Sequence, residues 1–131
     1  MAAILKYMKA SDLNLYFSNS LQIADFVKRI DPETSNYIDL VSKTGATIPL
    51  HFDEDEAIYI NNSSLSKLIA DLTDNDYNLA ILSYICDCLT LGDDVDFSNA
   101  TIKEITFDLA DPEINGSLTK ETISTILNLL K

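Results

Sequence analysis

The sequence contains no tryptophan, one histidine, two cysteines, three glycines and three prolines in 131 residues. Each scarcity closes a class of function. Three glycines cannot supply a glycine-rich loop whose backbone N–H groups cradle phosphates, so nucleotide-binding signatures are excluded. With His51 as the only histidine, no Ser-His-Asp, Cys-His or HExxH pattern can be completed, and the chain is expected not to be an enzyme. Cys86 and Cys88 lie two apart on an expected helix, where side chains point about 200° from one another and cannot bridge. They read as buried apolar thiols in a reducing, cytoplasmic compartment, and no metal or other cofactor is implied. Met1–Lys9 lacks an apolar core with a cleavage site, and no run is long enough to cross a bilayer.

Positive charge is scarce as well. Nine basic residues face 21 acidic ones, a net charge of −12 with a pI near 4.1. A field of that sign repels nucleic acid and anionic membrane and speeds encounter with basic proteins. The sparse, scattered Lys and Arg form no nucleic-acid groove.

What is present is a chain that can fold: 47% of residues are apolar, and the length suits one domain with a real core. The reading is a single domain, residues 1–131, with a mixed part over 1–61 and a helical part over 62–131. Leu13, Leu15 and Phe17 alternate with Asn14 and Tyr16 as in a strand. Ile23, Phe26, Val27 and Ile30 follow the helical period over about 19–30, and Asp31-Pro32 is expected to stop that helix. Ile38-Asp39-Leu40 and Ile48–Phe52 alternate apolar and polar around Lys43-Thr44-Gly45. A three-residue hairpin loop with Gly45 at positive φ would set Leu40 opposite Ile48 and Ile38 opposite Leu50. Ala57–Ile60 would add a third strand. From Asn62 the period changes to 3.6. Leu65, Leu68, Ile69 and Leu72 form one stripe capped at Asn62 or Ser63. Tyr77–Leu91 forms a nearly all-apolar central helix ended by Gly92. Ile102, Ile105 and Leu109 favour a helix within 98–110, though Ile105, Phe107 and Leu109 would also suit a strand. Ile123, Ile126, Leu127 and Leu130 line a last helix capped by Thr119 or Ser117. The expected fold is α+β: an N-terminal helix and a short antiparallel meander, then a helical half. An all-α helical-hairpin repeat is the alternative, suggested by the echo of Asp71–Asn78 at Asp108–Asn115.

Two places carry partial chemistry. Asp111–Leu118 has the first, third, fifth, sixth and eighth positions of an EF-hand calcium loop, but Thr122 stands where the bidentate Glu belongs, leaving a capped inter-helix turn as the simpler account. His51 precedes Asp53, Glu54, Asp55 and Glu56 and reads as a solvated histidine beside a charged turn.

The charge clusters at turns: Asp53–Glu56, Asp74 with Asp76, and Asp93, Asp94 and Asp96. If these turns converge they form one anionic docking surface. A small, acidic single domain without a catalytic motif resembles the bacterial immunity proteins that neutralise a cognate toxin, including those of contact-dependent growth inhibition systems. That resemblance implies a protein-binding inhibitor whose acidic face meets a basic toxin domain such as a nuclease. The partner contacts it suggests are Asp53, Glu54, Asp55, Glu56, Asp93, Asp94 and Asp96, with Tyr59 as an aromatic anchor. A calcium-responsive module at Asp111–Gly116 and a phage-type DNA mimic are the other readings.

Overall fold

The computed structural model describes residues 7–31, 33–41, 50–110 and 119–130. Two very short strand pairs are set among seven helices in these residues. In order they are β1 (Met8–Lys9), α1 (Ala10–Phe17), α2 (Ile23–Ile30), α3 (Glu33–Val41), β2 (Phe52–Asp53), β3 (Ile58–Ile60), α4 (Asn62–Asp74), α5 (Ala80–Leu91), β4 (Val95–Phe97), α6 (Ala100–Leu109) and α7 (Lys120–Leu129).

Both strand pairs are parallel. β1 lies beside β2 with Met8 opposite Phe52, and β3 beside β4 with Ile58 opposite Val95 and Ile60 opposite Phe97. Parallel neighbours need a crossover, not a tight turn. Here α1, α2 and α3 carry the chain from β1 to β2, and α4 and α5 carry it from β3 to β4. The expected antiparallel meander is therefore wrong. Ile38-Asp39-Leu40, its first strand, belongs to α3, whose Thr34, Tyr37 and Ile38 turn inward at helical spacing. The proposed loop at Lys43-Thr44-Gly45, and Ile48-Pro49, lie outside the described residues. Ala57–Ile60 does contain a strand, but its partner is β4, which lies in the segment expected to be an acidic loop.

Leu13, Leu15 and Phe17 also belong to a helix. Ala10, Leu13 and Tyr16 are buried at a spacing of three, while Leu15 is 42% exposed. The inward residue is Tyr16, whose ring carries most of the apolar area while its hydroxyl donates to Asp71 at 2.6 Å. With glycine so scarce, α1 and α4 end on Asn19 and Asp76 at positive φ, 67° and 57°. Each closes a Schellman motif: Ser20 N–H and Asn19 N–H donate to Leu15 and Tyr16, and Tyr77 N–H and Asp76 N–H to Leu72 and Thr73.

The helical half follows the period closely. Asn61 caps α4 through Ser64 N–H at 2.9 Å, one residue earlier than expected. Asn99 caps α6 and Thr119 caps α7. α5 starts at Ala80, three residues later than expected, and packs against α3, α4 and α6. Its run Ile81–Cys86, with Cys88 and Leu89, is buried, Ser83 included. The buried side chains of both halves form one continuous cluster. A repeat of helical hairpins is not what the chain builds: the first echo is the Schellman turn between α4 and α5, and the second falls largely at 111–115, outside the described residues.

Candidate functional site

The acidic turns are placed by the strand pairs. From β2 the chain turns through Glu54, Asp55 and Glu56 into β3, while Asp93 and Asp94 lead into β4 at its side. Glu54 joins the two turns. Its carboxylate accepts the backbone N–H of Asp93 at 3.0 Å and of Asp94 at 2.8 Å. Gly92 makes the approach possible: a Cβ there would lie 2.5 Å from the Val95 methyl and 3.0 Å from both the Glu54 carboxylate and the Phe52 ring. Two of the three acidic turns are thus adjacent. The third, Asp74 with Asp76, sits at the start of the turn leading into α5, ahead of that twelve-residue helix, which is about 18 Å long, whereas Asp93 follows it.

Within the joined turns the carboxylates divide into two kinds. Glu54 is half-buried and committed to the Asp93–Asp94 backbone. Asp55 accepts Ser11 N–H at 2.8 Å and Ser11 Oγ–H at 2.6 Å, capping α1 from 44 residues away where Lys9, the N-cap residue, provides no side-chain cap. Those bonds hold the Asp55 carboxyl below its usual range. Glu56 accepts from the Asn14 amide at 3.1 Å. Asp53, Asp93, Asp94 and Asp96 are exposed, and their carboxylates bond to no other described residue. Tyr59 stands opposite Asp96 across β3 and β4, on the same face, and is 57% exposed. The outward set is therefore Asp53, Asp93, Asp94, Asp96 and Tyr59. Glu54, Asp55 and Glu56, expected as contacts, also hold the turn together; Asp55 and Glu56 stay exposed while doing so, and Glu54 is half-buried.

His51 belongs elsewhere. Its partner is not the Asp53–Glu56 run but Glu33 in the first turn of α3. The Glu33 carboxylate accepts His51 N–H at 2.7 Å, lies 2.6 Å from His51 Nδ1, and accepts the Tyr84 hydroxyl at 2.9 Å. The Tyr84 oxygen in turn accepts Met8 N–H at 3.3 Å. Glu33 is 10% exposed and His51 53%. Burial, followed by the neighbouring Cys88 and Glu33, pushes the Tyr84 hydroxyl far above its ordinary value, so it is a neutral donor at every physiological pH. Sequence reasoning does not find Glu33. Asp31-Pro32-Glu33 reads as a helix stop, although Pro followed by Glu is equally a helix start.

This His-Glu-Tyr network holds no activated nucleophile among the described residues. The Cys88 thiol is buried and pushed up to about 12, and burial raises Cys86 as well, so both remain protonated and inert. Among the described residues no group of three His, Cys, Asp or Glu is arranged to hold a metal ion. Asp111–Gly116, the EF-hand-like loop, lies outside them. No described helix is long and apolar enough to cross a membrane.

No protein-family model, curated protein or solved structure matches this chain.

Proposed function

We propose that the protein is an acidic, protein-binding inhibitor of the immunity type: it neutralises a basic toxin domain in the cytoplasm by docking on it, with no bond-making chemistry of its own. The observation that carries this reading is the junction of the Asp53–Glu56 and Asp93–Asp96 turns through Glu54. It leaves Asp53, Asp93, Asp94 and Asp96 pointing outward beside the exposed Tyr59. Such an end offers charge to steer a cationic partner and an aromatic side chain to anchor it. Carboxylates held on a braced backbone need little ordering on binding, which favours tight association.

The test requires a basic toxin domain, to be sought in the reading frames that neighbour this chain's own. Co-expression should restore growth of cells carrying that toxin, and calorimetry should give a one-to-one complex that weakens with added salt. The Asp93→Asn, Asp94→Asn, Asp96→Asn triple variant should lose growth protection while keeping its fold. Full protection by that variant, or a complex indifferent to salt, would overturn the reading.

A further inference from the structure

The acidic end also carries a hollow of about 530 Å³ between the last turn of α5, β4 and the first turns of α6. Leu89, Val95, Phe97 and Phe107 give it apolar walls, and Asp96 and Lys103 stand at it as opposite charges. Phe97 and Phe107 meet edge to face with centroids 6.4 Å apart, and Phe107 is 43% exposed, so much of its ring has no protein neighbour. Lys103 Nζ lies 5.8 Å from the Phe107 centroid. Because Asp96 is shared between the hollow and the outward carboxylate set, the hollow opens directly beside the acidic turns.

We infer that this hollow receives one aromatic side chain of the basic partner, flanked in the partner by Lys or Arg residues that meet Asp53, Asp93, Asp94 and Asp96. The inference rests on the docking reading of the acidic turns and names what the partner must present. Three observations select that occupant. The volume falls within the range of about 300 to 1,000 Å³ typical of pockets that bury a ligand group. An exposed edge-to-face pair offers a third ring the tilted or offset contacts that aromatic groups prefer. Asp96 and Lys103 balance within the hollow, but Gly92 in its lining leads directly into Asp93 and Asp94. An acidic segment is therefore repelled and a neutral one is not selected, whereas cations on either side of a ring meet those aspartates while the ring meets the walls. Lys103 does not oppose this, because its ammonium already stands over one ring and can stand over an arriving one.

The absence of tryptophan from the chain supplies the probe. The 131-residue protein is titrated into three heptapeptides of one-letter sequence KKKWKKK, KKKAKKK and EEEWEEE, read by tryptophan fluorescence where the peptide carries one and by calorimetry for all three. The expected result is a blue-shifted emission for KKKWKKK, with affinity at least about tenfold above KKKAKKK. The EEEWEEE peptide should not bind. Ala100→Tyr, which fills the hollow from an exposed position, and Phe107→Ala, which removes a wall, should each abolish the blue shift. Asp93→Asn with Asp94→Asn should weaken both lysine peptides.

If the two lysine peptides bind alike, without a blue shift, and both depend on Asp93 and Asp94, the hollow is not the anchor site while the docking reading stands. If KKKWKKK binds independently of those aspartates, or EEEWEEE binds as well as it does, the charge complementarity fails. Absence of binding by any peptide overturns the inference and leaves the docking reading to the toxin experiment.

Discussion

Two glutamates do the same job at different places in the chain, and their surroundings decide what each looks like from the sequence. Glu33 holds the backbone of His51 just ahead of β2, and Glu54 holds the backbone of Asp93 and Asp94 just ahead of β4. Each fastens the chain as it enters the second strand of a parallel pair, where the crossover helices have finished and no hairpin turn fixes the register. Around Glu33 are a histidine and a buried tyrosine, the ingredients of a catalytic network, yet the bonds it makes position backbone, and among the described residues no activated nucleophile stands beside it. Around Glu54 are other carboxylates, the ingredients of a docking surface, and two of them, Asp55 and Glu56, are spent on internal bonds. Residue type alone does not separate the roles; the hydrogen bonds of the neighbours do.

That comparison can be broken by substitution. Glu33→Ala should cost most, about 3 kcal/mol in urea unfolding, because it orphans His51 N–H and the buried Tyr84 hydroxyl together. Glu54→Ala should cost less, about 2 kcal/mol, since the two N–H groups it releases lie at an exposed loop and water can replace the carboxylate. A larger loss at Glu54 than at Glu33 would reverse the ranking and place the structural weight at the acidic end. Asp55→Ala should cost at most about 1 kcal/mol, the usual size of a lost helix cap. Its pH dependence has a definite sign. The Asp55 carboxyl is held below its ordinary value of 3.8, so its contribution is complete above that value. It fades as the pH falls through the lower folded-state value. Wild type and Asp55→Ala should therefore converge in stability in strong acid and differ at neutral pH; a difference that persists in acid would exclude the carboxylate as its source. Smallest of all, Asp93→Asn with Asp94→Asn should shift stability by less than about 0.5 kcal/mol, and upward if at all, because it relieves repulsion in a chain of net charge −12. A clear destabilisation would mean these carboxylates brace the fold as Glu54 does.

The helices of the second half are legible where their apolar residues keep one period for three turns and begin after a residue that caps them, as at Thr119. α6 is less so, because Ile105, Phe107 and Leu109 also fit a strand and its cap, Asn99, is not singled out by the sequence. The first half misleads for a definite reason. Tyr16, counted as polar between Leu15 and Phe17, is among the largest fully buried side chains, and counting it outward turns a helical face into an alternating strand. Ile38-Asp39-Leu40 is too short to separate the two periods without the buried Thr34 and Tyr37 that precede it. The strands themselves are two or three residues long and pair with partners more than thirty residues away, so no local pattern announces them. The acidic turns were legible as charge. Which carboxylates face the solvent depends on Ser11, Asn14 and the Asp93–Asp94 backbone, all remote in sequence from Glu54, Asp55 and Glu56.

The parallel pairing of β3 with β4 bears on the order of assembly. Neither strand can find the other until α4 and α5 have condensed between them, and contacts so distant along the chain form late and open early. The turn that carries Asp93 and Asp94 is therefore set only once those helices have packed. A chain whose helical layer has frayed has no anionic face to present, so a partner that recognises this turn in effect recognises only finished copies.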